Sequence, residues 1–221
     1  MKKAGNCTSF IQTVFKMTTS ITLISAKEKK TLELFAGYGR LSNFLVNKGI
    51  NVHTVELSRE FSDLIELPDY KKHVGDVTTT ILKEKFERII AGYNSFCLLK
   101  ENNQIKSFFR NIKNMLANDG LVSLSYYHPD FWPNAESFTF LFNNKEVKYF
   151  PEYNLSKRSD KIGIWRDRYV IENETEIHEY PVRIFENRND LEPFVKKADL
   201  RIVGIIENYN NPKISEPGWA A

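Results

Sequence analysis

Hydrophobic positions along this chain follow two different rules. Between residues 31 and 126, short apolar runs alternate with stretches of helical period. Strands are expected at 31–35, 51–55, 71–74, 86–91 and 121–126, and helices between them at 41–48, 59–65 and 102–116. The last helix places Ile105, Phe108, Phe109, Ile112, Met115 and Leu116 on one stripe. Gly49 suits the left-handed end of the first helix, Pro68 closes the second, and Gly120 ends the third. Alternation of this kind predicts an α/β fold, a Rossmann-like doubly wound and mostly parallel sheet with both faces covered.

After Pro129 the period changes to two. Aromatic-rich runs at 138–142, 147–150, 162–171 and 176–185 read as antiparallel strands, an insertion after strand five. A helix at 190–197 and a strand at 201–206 then return to the first sheet. The partner of that strand is expected to begin near Trp219, which leaves the sheet edge incomplete at Ala221. A short helix is expected at 8–17. The organisation is therefore an N-terminal segment or lid (1–30), a core (31–130 and 187–221) and an antiparallel insertion (131–186).

Composition narrows the class. The chain has 221 residues, 42% of them hydrophobic, enough for one buried core with a small subdomain. Its net charge of +3 and its short, scattered basic runs give no footprint for nucleic acid. Two cysteines, Cys7 and Cys97, are too few for a disulfide framework and suggest a reducing compartment. No apolar run approaches the ~20 residues that span a bilayer. The chain is read as cytoplasmic. The four histidines show no metal-ligand spacing, so no metal is expected.

The chemistry concentrates in Thr31-Leu-Glu-Leu-Phe-Ala-Gly-Tyr-Gly-Arg-Leu-Ser42, followed by Asn51-Val-His-Thr-Val-Glu-Leu57. This is strand, glycine loop, helix, strand and acid. Glu56 falls close to the ~20-residue offset at which an acid grips ribose hydroxyls. The loop lacks the third glycine of a dinucleotide fingerprint, which points to a nucleoside ligand without a pyrophosphate.

These segments resemble the class I S-adenosylmethionine-dependent methyltransferases, in their small-molecule N- or O-methyltransferase branch. Five motifs run collinearly over residues 31–130: Glu33 to Gly39, Glu56, Gly75-Asp76, Phe86 to Ser95 and Ala117 to Ser125. Phe35 stands where the family usually has glycine. The resemblance implies S-adenosyl-L-methionine as cofactor. In it Glu56 takes the ribose, Asp76 the adenine amine with Val77 beside the ring, and Gly37 and Gly39 admit the methionine part. Glu33 lies beneath the loop, Tyr38 covers the methionine part, and Phe35, Leu57, Tyr93 and Asn94 complete the contacts.

The acceptor side is read from Tyr126-Tyr-His-Pro-Asp130, at the carboxyl end of strand five, where open α/β sheets place reactive groups. His128 is the candidate base and Tyr127 the candidate orienting hydroxyl. Tyr126, Phe131, Trp132 and Trp165 are candidates for an apolar acceptor pocket. The implied reaction is methyl transfer to an amine or hydroxyl of a small metabolite, with a homo-oligomer possible. Two other readings stay open: an RNA or protein methyltransferase, and a cofactor-binding protein without turnover. Ala91-Gly-Tyr-Asn-Ser95 lacks the polar-Pro-Pro-aromatic run expected of an enzyme acting on base amines.

Overall fold

The computed structural model describes residues 28–126, 137–142, 144–154 and 161–204. Five parallel strands, β1 (Thr31–Leu34), β2 (Val52–Glu56), β3 (Lys72–Val74), β4 (Phe86–Ala91) and β5 (Leu116–Leu124), form a sheet in the order β3-β2-β1-β4-β5. Between them run α1 (Arg40–Val46), α2 (Arg59–Asp63) and α3 (Asn102–Met115), with single 3-10 turns at Asp69–Lys71 and Ser95–Leu98. The chain winds outward from β1 through β2 to β3, then returns past β1 to β4 and β5. The strand order reverses at the β1–β4 pair, so the crevice outside their carboxyl ends is the natural ligand position.

Both faces of this sheet are covered, as the near-continuous apolar strands require. Every residue of β1 and β2 is buried. One core packs α3 on the sheet through Leu34, Ile89, Phe96, Ile105, Phe108 and Ile112. The other packs α1 through Leu41 and Leu45 against Val52 and Ile90. A reciprocal capping box between Glu101 and Gln104 starts α3. Gly49, at φ +78°, ends the turn after α1 as expected.

The period-two region forms a second sheet. Strands β6 (Phe138–Phe142), β7 (Lys145–Asn154), β8 (Ile162–Ile171) and β9 (Glu174–Arg183) pair antiparallel in sequence order. The helix α4 (Arg188–Lys197) follows. Val182, Phe185 and Trp165 join this second sheet to the main core.

Three details differ from expectation. Strand β5 begins at Leu116, five residues early, because Phe86 bridges Leu116 before the register shifts to Arg88↔Leu121. The turn ahead of Gly120 thus bulges from a strand already begun. Strands β7 and β9 are displaced or extended, at Lys145–Asn154 and Glu174–Arg183, because polar positions on the open face continue the ladder. Residues 201–204 carry no strand, although Ile202 packs on the main core. The rest of that expected strand, Trp219 and the expected 8–17 helix lie outside the described residues.

Candidate functional site

The loop from β1 to α1 is built from left-handed residues. Phe35, Gly37 and Gly39 have φ of +57°, +57° and +86°. Phe35 therefore adopts the conformation that glycine takes more readily, a strain on the order of 1–2 kcal/mol. Its ring packs against Phe108, centroids 5.9 Å apart, which holds it there. At φ +86° a Cβ on Gly39 is strained, and it would also lie 2.9 Å from Asn43 Oδ1 and 3.0 Å from Ile65, so glycine is favoured there. A Cβ on Gly37 would meet nothing within 4 Å. The backbone is open to a ligand at that point.

Glu56 closes the loop from the neighbouring strand. Its Oε2 accepts from Gly37 N–H at 2.7 Å and its Oε1 from Ser58 N–H at 2.9 Å. It is 8% exposed and ends β2, beside the crevice. Each carboxylate oxygen has a second lone pair, so two further donors can be accepted. Glu56 O also accepts from Gly75 N–H at 2.9 Å, which ties the next acid turn to it. In that turn Asp76 Oδ1 accepts from both Thr78 N–H and Thr78 Oγ1–H at 2.7 Å. Val77 is buried, and its carbonyl accepts from Asn111 Nδ2 at 3.1 Å. Leu57 is 71% exposed at the rim.

Glu33 lies beneath the loop, in the floor of the sheet. It is 3% exposed, and Ser42 Oγ donates to its Oε2. Burial pushes its pKa up to about 8, against the opposing pull of the Ser42 bonds and the Arg40 charge. On the other side, Tyr93 and Asn94 follow β4 with φ of +54° and +60°. Asn94 N–H donates to Ser125 Oγ at 2.7 Å, linking the ends of β4 and β5. The Arg40 guanidinium stacks over the Tyr93 ring at 3.8 Å.

Glu33, Phe35, Gly37, Tyr38, Tyr93 and Ser95, with Arg40 between them, line one concavity of about 150 Å3. A larger one, about 440 Å3, lies around Lys29, Arg88 and Ala117 at the opposite, amino end of β4. Parallel sheets bind at carboxyl ends, so the smaller concavity is the candidate site.

Of the acceptor candidates, Tyr126 sets its ring edge-on to Phe185 at 5.6 Å. Trp165, on β8, packs against the main core, and its indole N–H donates to Asp167 Oδ1 at 2.6 Å. Tyr127, His128, Phe131 and Trp132 lie outside the described residues. Sequence reasoning missed Ser42, Arg40, Ser125 and Asn111, each of which positions a candidate ligand-binding residue. Only Ser42 carried a signal, three residues after Gly39 in the first helical turn. No set of three metal-binding side chains occurs among the described residues. No described helix is long and apolar enough to cross a membrane.

No protein-family model matches this chain and no curated protein matches it. Solved structures do. DesVI from Streptomyces venezuelae superposes with a TM-score of 0.72 at 14% identity, covering 90% of this chain and 89% of that one. CalS10, an amino pentose methyltransferase from Micromonospora echinaspora solved with S-adenosylmethionine bound, gives 0.68 at 14%, covering 84% and 82%. KedS8, a sugar N-methyltransferase from Streptoalloteichus, gives 0.68 at 12%, covering 90% and 85%. The chain has the fold of these S-adenosylmethionine-dependent methyltransferases, including the antiparallel sheet beside the Rossmann-like core.

Proposed function

We propose that this protein is an S-adenosylmethionine-dependent methyltransferase acting on a small-molecule metabolite, at an amine ahead of a hydroxyl. The observation that carries the reading is Glu56. It is a nearly buried carboxylate at the end of β2, fixed by the amides of Gly37 and Ser58, with lone pairs left for two donors. Two adjacent ribose hydroxyls match that need. The open backbone at Gly37 suits the close approach of a methionine chain, and Glu33 beneath it suits a nearby ammonium. Asp76 Oδ2, with Val77 beside it, is the expected adenine end.

Bound there, the cofactor supplies a sulfonium methyl that is already activated. The protein's own task is positioning and exclusion of water, which can contribute ~7–11 kcal/mol. In this reading residues 131–186 form the acceptor platform, residues 1–30 a lid, and His128 and Tyr127 the base and orienting hydroxyl. The amine preference is supported by the amino-sugar enzymes among the fold's neighbours.

Calorimetric titration with S-adenosylmethionine tests the reading. The protein should bind, and Glu56→Ala should lose about 2–4 kcal/mol. A parent that fails to bind rejects the function, and an unchanged Kd in the variant rejects the role of Glu56. A turnover screen over amino sugars and amino acids then separates an enzyme from a binding protein.

A further inference from the structure

Strand β8 carries Arg166-Asp167-Arg168, and its pleat sends these charges to opposite faces. On one face Arg166 pairs with Glu179 and Glu152, and Arg168 Nε donates to Glu152 Oε1 at 2.8 Å. Both arginines thus have counter-charges. Asp167, on the other face, pairs with no lysine or arginine among the described residues. Its partners are neutral. Tyr149 Oη and Trp165 Nε1 each donate at 2.6 Å, and both donate to Oδ1. Among the described residues nothing donates to Oδ2, and the negative charge has no counter-charge.

The walls around Asp167 are aromatic. Tyr149 and Tyr169 lie tilted against each other at 5.0 Å, Tyr169 meets His178 edge-on at 6.0 Å, and His178 lies over Tyr180 at 6.5 Å. His178 stands directly across from Asp167, with its Nε2 turned to Glu176 Oε1 at 2.8 Å. Burial, and then the Asp167 charge, push the phenols of Tyr169 and Tyr180 up. The same field that disfavours a phenolate favours a cation. A carboxylate with a free oxygen among ring faces is the arrangement that binds ammonium groups.

We propose that Asp167, with Tyr149, Trp165, Tyr169 and Tyr180, forms a subsite for a protonated amine of the acceptor, remote from the reacting nitrogen. The reacting nitrogen must be neutral to attack, so the charge held at Asp167 belongs to a second group. Trp165 packs on the main core, and Asp167 lies two residues farther along β8, about 7 Å away. The subsite rests on the proposed reading of the second sheet as the acceptor platform.

Butylammonium and its neutral counterpart butanol are the probes, read by the indole N–H resonance of Trp165, assigned with Trp165→Phe. Butylammonium should shift that resonance saturably, and at least about tenfold more tightly than butanol. Asp167→Asn keeps an oxygen for both donors and should abolish the preference. Tyr169→Leu leaves the carboxylate in place and should weaken butylammonium several-fold. An equal response to both probes, no saturable response, or an undiminished preference in Asp167→Asn would overturn the subsite. S-adenosylmethionine takes no part in this measurement, so its outcome is separate from that of the cofactor titration.

Discussion

The two sheets solve burial in opposite ways. In the parallel sheet, β1 and β2 are buried from end to end, and a polar group inside it must find a partner within the protein. In the antiparallel sheet, β9 carries one buried residue, Val182, along its whole length. Charges there face solvent and pair across strands. The lesson is about leverage. A single carboxyl or imidazole in the first sheet changes its proton affinity strongly, while members of the ion-pair network on the second are shifted less. Loss of a neighbour should follow the same division.

The largest effect is expected from Phe96→Ala. Phe96 is fully buried, with Phe108, Phe109 and Phe185 at 5.1, 5.7 and 5.1 Å. Through Phe185, it ties the chain leaving β9 to the core of the parallel sheet. The cavity should cost about 3–5 kcal/mol in urea unfolding. A cost near zero would break the comparison at its root.

Glu33 comes next. Its folded pKa of about 8 lies above the ordinary 4.5, so the native state holds the proton more tightly than the unfolded chain. Its stabilising effect is complete below 4.5 and is lost as pH rises toward about 8, on the order of 4–5 kcal/mol in all. Glu33→Gln should flatten that part of the stability–pH curve. Parallel curves for the variant and the parent would show Glu33 ionised throughout.

His53 acts with the opposite sign. It is 4% exposed, stacked on His73 at 5.9 Å, and burial lowers its pKa to about 4 against the pull of Glu84. Stability is then full above 6.5 and falls as pH drops toward 4, by about 3 kcal/mol. An NMR titration of the ring that gave an ordinary midpoint near 6.5 would remove this prediction. The smallest effect is expected from Arg166→Ala, at the centre of the exposed network on β8. Its thermal midpoint should match that of the parent. A clear drop would show the second sheet to be more tightly integrated than its exposure suggests.

Much of the first sheet was legible because its signals are local. The boundaries of β1 to β4 follow from apolar runs cut by glycine, proline and acid, and each was expected within a residue. The candidate acids Glu33, Glu56 and Asp76 stand at the strand and turn positions where the sequence motifs set them. Lateral relations were not legible. His53 and His73 look scattered in the sequence, yet neighbouring strands bring them face to face. Asp167 looks like one charge in a charged run. Only the pleat separates it from Arg166 and Arg168 and surrounds it with rings. The early start of β5 was hidden for a similar reason, since a bulge is defined by its partner strand.

The strand order also carries a consequence for how the chain folds. β8 and β9 are joined by the two residues Glu172 and Asn173, and their ladder runs from Ile171↔Glu174 outward. Such a hairpin closes in about 1–10 μs. The crevice instead needs β1 beside β4, pairing Thr31 with Arg88 across a long excursion through β2 and β3. That closure is the slow one, because its entropy is lost before its contacts form. A nascent chain would have the whole β1–β5 unit synthesised before its antiparallel neighbour emerges. Synthesis from the N-terminus thus gives the slow-folding half its head start.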